Sequence, residues 1–163
     1  MLTNLIKFLS QHFSQEIVIA IVAALPISEL RGAIPLGINI WKMPPLKVFL
    51  IAVGANFFLV IPFLIFLKLF TRHLLRYKLA EKFLNWWFER TRKRAAIVEK
   101  YEALGLCLFV AIPLPLTGAW SGCVAAYLLN IRFRYAAPAI FFGVLIAGII
   151  VTILSTTAGL IKI

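Results

Sequence analysis

Aspartate is absent from this sequence of 163 residues, and its acidic side chains are six glutamates. It has two histidines and two cysteines, Cys107 and Cys123, which do not show the CxxC or Cys/His spacing of a metal site. No serine lies in a nucleophile motif. The absence of these groupings argues against an enzyme, a metal site or a bound cofactor. We interpret the cysteines as small apolar packing residues.

Long apolar runs, by contrast, make up most of the chain, which is 63% hydrophobic. A soluble domain of this size could not bury so much apolar surface. About 20 apolar residues span the hydrocarbon core of a bilayer. Four runs reach that length, at 17–41, 48–67, 103–131 and 135–161. The composition therefore predicts an integral membrane protein.

Positive charge is concentrated in one segment. The net charge is +11, and the stretch from Lys68 to Glu102 contains most of the lysines and arginines. Basic segments beside membrane spans favour the cytoplasmic side, where they lie on anionic lipid. We interpret residues 71–100 as a basic amphipathic cytoplasmic segment and expect no nucleic-acid partner.

Prolines and glycines interrupt two of the apolar runs. The first interruption, at 25–37, also contains Glu29 and Arg31, and the second, at 113–122, contains no charge. Proline breaks or kinks a helix, and charges at membrane depth need a partner, water or a polar cavity. Both interruptions indicate helix breaks. We predict these hinge residues: Pro26, Gly32, Pro35, Gly37, Pro113, Pro115, Gly118 and Gly122.

Each interrupted run is followed by an apolar run long enough to span a membrane, so the chain reads as a repeat. We predict an all-α integral membrane protein, an inverted repeat of a re-entrant helical hairpin plus a transmembrane helix, with interfacial amphipathic helices. The expected boundaries are an interfacial helix at 1–16, re-entrant hairpins at 17–41 and 103–131, and transmembrane helices at 44–70 and 134–162.

Glu29 and Arg31 are the main candidates for a binding site. Arg31 suits an anionic or phosphate group, and Glu29 suits a proton-titrating role. The alternative is a buried ion pair that fixes the hinge and binds nothing. Asn56 is a candidate for polar support, through a helix–helix hydrogen bond or a substrate contact. Weaker candidates for substrate or coupling-ion binding are Ser28, Thr117, Trp120 and Ser121.

The two interrupted segments also carry a family resemblance. Ser-Glu-Leu-Arg-Gly-Ala-Ile-Pro at 28–35 and Pro-Leu-Pro-Leu-Thr-Gly-Ala-Trp-Ser-Gly at 113–122 resemble the signature segments of the putative small multidrug export protein family. That family is distantly similar to the DedA/VTT membrane proteins. The DedA resemblance implies two facing re-entrant hairpins, dependence on the proton-motive force and movement of polyprenyl-phosphate or other lipids.

The sequence thus predicts a transporter of the bacterial or archaeal cytoplasmic membrane, with both chain termini outside. Its leading expected function is proton-coupled movement of a lipid-like or amphiphilic anion. The alternatives are export of small hydrophobic cations, and a lipid scramblase or structural membrane protein without coupling. The expected partners are membrane lipids, a small amphiphilic or lipid-phosphate substrate, and a second copy of the chain in a homodimer or a higher homo-oligomer.

Overall fold

A computed structural model describes residues 2–74, 102–113 and 118–161 of the chain, and every regular element in these ranges is helical. The elements are α1 (Leu2–His12), α2 (Gln15–Ala24), α3 (Glu29–Pro35), a π-helical turn (Leu36–Ile40), α4 (Pro45–Leu74), α5 (Glu102–Ala111), α6 (Ala119–Leu128) and α7 (Phe133–Ile161). The predicted all-α class is confirmed for this part of the chain. Most of the predicted basic segment, from residue 75 onward, lies outside the described residues.

Two helices are long and apolar enough to cross a membrane. The qualifying stretches are Pro45–Leu67 in α4 and Phe133–Ala158 in α7, of 23 and 26 residues. Large apolar side chains along both remain exposed, including Phe58, Phe66, Phe142 and Ile149. Exposed apolar rows of this kind suit contact with lipid.

The other two apolar runs are each interrupted. The helix of the first run stops after Ala24 and resumes at Glu29, and that of the second stops after Ala111 and resumes at Ala119. Helical segments of about ten residues are too short to cross the hydrocarbon core. The re-entrant path and the inverted repeat that we predict from these interruptions stay predictions.

The chain divides into two compact units. The first comprises residues 1–59 and 144–163, and the second comprises residues 60–143. In the first unit, α2 packs against α1, α3 and the π-helical turn. Its core contains fully buried aliphatic side chains from α2, α3 and α4, namely Val18, Ile19, Val22, Ile34 and Val48.

The second unit has a core of its own, in which α5 packs against α6. Leu106, Val110, Cys123 and Ile140 are buried there. A Cβ atom on Gly122 would lie 2.5 Å from a methyl carbon of Val110, so only glycine allows α6 this close to α5.

Candidate functional site

The break between α2 and α3 is produced by Pro26. Leu25, the residue before it, is extended (φ −73°, ψ 136°), as the residue before a proline prefers. The Leu25 N–H still bonds to α2, to the carbonyls of Ile21 (3.2 Å) and Val22 (3.4 Å). Pro26 and Ile27 then form an exposed tip, and Ile27 is 91% exposed. The hinge predicted at Pro26 is thus the position at which the helix ends.

Ser28 and Gly32 pack against each other on the buried side of the break. Ser28 is buried, and its hydroxyl donates a 2.6 Å hydrogen bond to the Val22 carbonyl in the last turn of α2. The same carbonyl accepts the longer bond from the Leu25 N–H, so the Ser28 hydroxyl adds a second donor at a helix end, where intrahelical partners are missing. A Cβ atom on Gly32 would lie 2.8 Å from the Cβ of Ser28. Ser28, a predicted binding residue, therefore has a structural partner within the protein.

Glu29 follows Ser28 with its backbone in the left-handed region, at φ 46°. This conformation costs a non-glycine residue about 1–2 kcal/mol, and it persists where the surrounding structure fixes it. Glu29 is half-buried, and it is the only acidic residue between Glu16 and Glu81. The helix break therefore sets the direction of the single carboxyl group in this part of the chain.

Arg31 lies on the same short helix, two residues beyond Glu29, and is also half-buried. Because the Glu29 backbone is left-handed, regular helical spacing does not fix the angle between these two side chains. The short helix thus carries an anionic and a cationic side chain two residues apart, both half-buried.

Asn56 links α4 to the end of α2. It is 2% exposed, and its Nδ2 donates a 2.9 Å hydrogen bond to the Ala23 carbonyl. This bond is the helix–helix hydrogen bond that the sequence suggested for Asn56, the other possibility being a substrate contact. Its Oδ1 has no hydrogen-bond partner among the described residues. A buried amide oxygen without a donor costs about 1–3 kcal/mol, so this atom is a ready acceptor for a ligand or a water.

An apolar groove runs along the same two helices. It is a shallow, open groove with a volume of about 460 Å³, lined by residues of α2 and α4 that include Ala20, Ala24, Gly54 and Phe58. Gly54 lies open there, with no atom within 4 Å of a Cβ placed on it. Two features therefore lie beside the end of α2, an apolar groove and a buried hydrogen-bond acceptor, the Oδ1 of Asn56.

The predicted hinge at Pro35 and Gly37 differs in the structure, because the backbone there stays helical. Pro35 ends α3, and the chain continues directly into the π-helical turn, in which the Trp41 N–H bonds to the Leu36 carbonyl at 3.1 Å. A π turn uses i→i+5 bonds and accommodates an irregularity within a helix. Gly37 is required for packing, since a Cβ there would lie 2.8 Å from side-chain atoms of Ile19 and Val48.

In the second interruption the described residues serve packing. The ring of Trp120 lies 4.4 Å from that of Phe63, centre to centre. The Ser121 hydroxyl donates to the Gly118 carbonyl at 3.2 Å, and the Cys123 sulfur lies 4.0 Å from the Val60 carbonyl oxygen. Gly118 is extended, as any residue can be, and Pro113 is half-buried. Pro115 and Thr117, also predicted as hinge and site residues, lie outside the described residues.

One polar contact was missing from the sequence interpretation. The Lys47 ammonium donates a 2.7 Å hydrogen bond to a carboxylate oxygen of Glu16 and joins the start of α4 to the start of α2. This hydrogen bond, aided by the Glu16 N–H and the Ser14 side chain, lowers the pKa of Glu16 from 4.5 to about 2. The two residues are 31 positions apart, and no local pattern pairs them.

Comparison with known proteins gives one match. The profile of a family described as "Putative small multi-drug export protein" matches residues 29–150, which is more than half of the chain. The matched range begins at Glu29. Neither the curated proteins nor the solved structures contain a match to this sequence.

Proposed function

Because the chain belongs to the putative small multi-drug export protein family, we propose that this membrane protein exports small amphiphilic molecules and that Glu29 is its substrate-binding and proton-exchanging group. The observation that carries the proposal is the position of Glu29. It is the single acidic residue of an apolar run, half-buried at a helix break and fixed in a left-handed conformation.

An ionisable residue in an apolar run is expensive, and it marks a substrate or proton pathway in many transporters. A carboxylate attracts a cationic amphiphile when it is ionised and releases it when it is protonated. Burial and a nearby cation shift a carboxyl pKa in opposite directions, so such a site can be adjusted to titrate in a useful range. Exchange of a proton for a cation at Glu29 would couple export to the proton-motive force.

The surroundings of the α2–α3 break suit an amphiphilic substrate. The groove along α2 and α4 offers apolar contact, and the Oδ1 of Asn56 offers a buried hydrogen-bond acceptor near the end of α2. Interrupted helices in transporters provide binding groups of this kind from freed backbone and nearby side chains.

Arg31 favours a second candidate function, proton-coupled movement of a lipid-like anion such as a polyprenyl-phosphate carrier. A guanidinium matches the geometry of phosphate, and Arg31 is half-buried on the same helix as Glu29. In that case Arg31 binds the anion and Glu29 carries the proton. A lipid scramblase without coupling would need neither side chain in a charged form.

We place the protein in the cytoplasmic membrane as a homodimer or a higher homo-oligomer, with re-entrant hairpins at 17–41 and 103–131 and the basic segment on the cytoplasmic side. This topology predicts that both termini are outside. Cysteines placed singly at each terminus and at Arg92, in a chain lacking Cys107 and Cys123, should be labelled in intact cells at the termini alone. Protected termini would contradict the re-entrant hairpins.

The function is tested with the full chain in proteoliposomes, under an imposed pH gradient, with a fluorescent lipophilic quaternary ammonium ion as the probe. A charge-assisted contact is worth about 1.5–3 kcal/mol, so Glu29→Gln should lower the transport rate by at least about tenfold. Glu16→Gln is the matched control, because Glu16 is an acid of the same unit that is bonded to Lys47.

A Glu29→Gln variant that still folds and transports the cation at the wild-type rate would overturn the proposal. The anion function is tested in the same vesicles with a short-chain polyprenyl phosphate. Here Arg31→Gln should abolish transport, whereas cation export should tolerate this change. Equal movement of lipid by wild type and both variants, without a gradient, would instead identify a scramblase.

A further inference from the structure

The junction between α6 and α7, in the second unit, contains a cavity unlike the apolar groove described above. It encloses about 270 Å³, and its lining combines apolar and polar side chains. Leu64 of α4 and Ala136 of α7 form apolar walls, and Tyr127, Asn130 and Arg132 contribute polar groups. A volume of this size holds a phosphate group together with the polar atoms attached to it.

The backbone of the junction is fixed by a specific helix-end motif. The Ile131 N–H bonds to the Ala126 carbonyl at 2.9 Å, and the Asn130 N–H bonds to the Tyr127 carbonyl at 3.0 Å. This is the Schellman pattern, in which Asn130 takes the left-handed position at φ 56°. Asn130 and Arg132 are therefore held in defined positions at the cavity.

Arg132 brings a positive charge that nothing nearby in the sequence neutralises. No aspartate or glutamate occurs from residue 103 to residue 163. The neighbouring Arg134 lies over the Tyr135 ring, 4.7 Å from its centre, and donates to the Tyr135 hydroxyl at 2.9 Å. Arg132 is one of the residues that line the cavity, and its side chain has no hydrogen bond or ion pair with any described residue.

The position of the cavity along α7 identifies the source of an anion. The apolar stretch that can cross the membrane begins at Phe133, immediately after Arg132. Phosphate groups of phospholipids lie at this boundary between hydrocarbon and water, where arginine and tyrosine side chains are common anchors. Anionic lipid also attracts basic groups at the surface by about 1 kcal/mol each.

We infer that the α6–α7 cavity binds the phosphate of an anionic phospholipid, with the Arg132 guanidinium as its main contact and the Asn130 amide as a second donor. The lipid is a bound component of the protein here, and the inference does not depend on what the protein transports. Arginine suits this role because its planar guanidinium donates two parallel hydrogen bonds to phosphate oxygens.

Native mass spectrometry of the full chain in detergent tests the inference, with phosphatidylglycerol as the probe and phosphatidylcholine, whose phosphate is balanced by its choline ammonium, as the zwitterionic comparison. Wild type should bind phosphatidylglycerol more tightly. Arg132→Gln should weaken that binding by at least about tenfold, the value of one charge-assisted contact. Arg134→Gln, which removes the same charge two residues away and outside the cavity lining, should leave most of the binding intact.

Asn130→Asp is a second variant that keeps a residue suited to the left-handed position and adds a negative charge to the cavity. It should also weaken phosphatidylglycerol binding. Equal losses in Arg132→Gln and Arg134→Gln would overturn the inference, because they would indicate general surface attraction. Equal binding of phosphatidylglycerol and phosphatidylcholine by wild type would also overturn the inference. Displacement of the lipid by millimolar inorganic phosphate would overturn the lipid as ligand and identify a site for free phosphate.

Discussion

The two interrupted segments share a sequence pattern but differ in what the pattern does. In the first, Ser28 bonds to the end of α2, Glu29 is left-handed, and Asn56 reaches the Ala23 carbonyl. In the second, the Trp120 ring packs against the Phe63 ring at an angle of 59°, and no charged residue occurs between Ala103 and Ile131. The first segment combines hydrogen bonds with ionisable groups, and the described part of the second is dominated by apolar packing.

What the two segments have in common is close approach of helices at glycine. Gly37 allows it in the first unit, against Ile19 and Val48, and Gly122 and Gly143 allow it in the second, against Val110. The shared feature is therefore a packing requirement, whereas charged side chains occur in the first segment and not in the second. The comparison predicts that the second segment is more sensitive to added volume and the first to lost hydrogen bonds.

Gly143→Ala should have the largest effect on stability. A Cβ there would lie 2.6 Å from the Cβ of Val110 and 2.8 Å from the Cys107 carbonyl oxygen, and neither atom can rotate away. Overpacking of this kind costs about 1–3 kcal/mol. Thermal unfolding in detergent, followed by circular dichroism, should show a lower midpoint.

Two glycines of the first unit serve as controls for that measurement. Gly37→Ala should cost less, because its neighbours are the side-chain ends of Ile19 and Val48. Gly54→Ala meets no atom within 4 Å and should be neutral or stabilising, since alanine favours a helix over glycine by about 1 kcal/mol. If Gly143→Ala and Gly54→Ala unfold at the same midpoint, the proposed difference in packing between the two units is wrong.

Asn56→Leu should have the next largest effect, on transport more than on stability. It removes the bond to the Ala23 carbonyl, worth about 1 kcal/mol, but also removes the Oδ1 atom, which has no hydrogen-bond partner in the described part of the chain. The two terms oppose each other, so the unfolding midpoint should fall only slightly. The Oδ1 atom can accept a hydrogen bond only from a substrate with an N–H or O–H group, so the transport rate of a protonated tertiary amine in proteoliposomes should fall several-fold.

Cys123→Ala is the counterpart in the second unit, a buried side chain whose sulfur lies 4.0 Å from the Val60 carbonyl oxygen. It should leave transport unchanged. A loss of transport in Cys123→Ala as large as in Asn56→Leu would place substrate contacts in the second unit as well. The proposal that only the first segment contacts substrate would then be wrong.

Ser28→Ala and Ser121→Ala compare the same atom in the two segments, with a smaller expected effect. The Ser28 hydroxyl is buried with a 2.6 Å bond, so its loss should cost about 1 kcal/mol. The Ser121 hydroxyl is partly buried with a 3.2 Å bond, and its loss should change the unfolding midpoint little. Equal costs, measured by the same thermal unfolding, would show that the second segment also depends on hydrogen bonding.

Much of this architecture follows from local sequence patterns. The long helices predicted at 44–70 and 134–162 appear as Pro45–Leu74 and Phe133–Ile161, because long apolar runs of good helix formers define them. The break at Pro26 follows from the missing N–H and from the restricted residue before a proline.

The remaining features depend on distant contacts or on backbone detail. The same argument from proline predicted a hinge at Pro35, where a π-helical turn instead carries the chain onward. The left-handed backbone of Glu29 and the buried amide oxygen of Asn56 arise from how α2, α3 and α4 meet. The α6–α7 cavity likewise includes Leu64, which is far from Arg132 in sequence.

The smallest expected effect concerns the Glu16–Lys47 ion pair of the first unit. The sequence after Glu102 contains no acidic residue, so no comparable ion pair can form within it. The folded-state pKa of Glu16 is about 2, below the ordinary 4.5, so the ionised form is favoured by folding. The stabilisation is therefore fully present above pH 4.5 and is lost as the pH falls through about 2. Both side chains are about half exposed, so solvent and salt screen the pair.

Carbon-13 NMR of carboxyl-labelled glutamate measures this pKa directly, with Glu16→Gln assigning the resonance. The Glu16 signal should titrate near 2, and Lys47→Met, which removes the ammonium donor, should return it toward 4.5. The unfolding midpoint at pH 7 should barely change in either variant. A wild-type Glu16 that titrates near 4.5 would mean that solvent screens the pair entirely, and the first unit would then owe its polar character to the α2–α3 break and Asn56 alone.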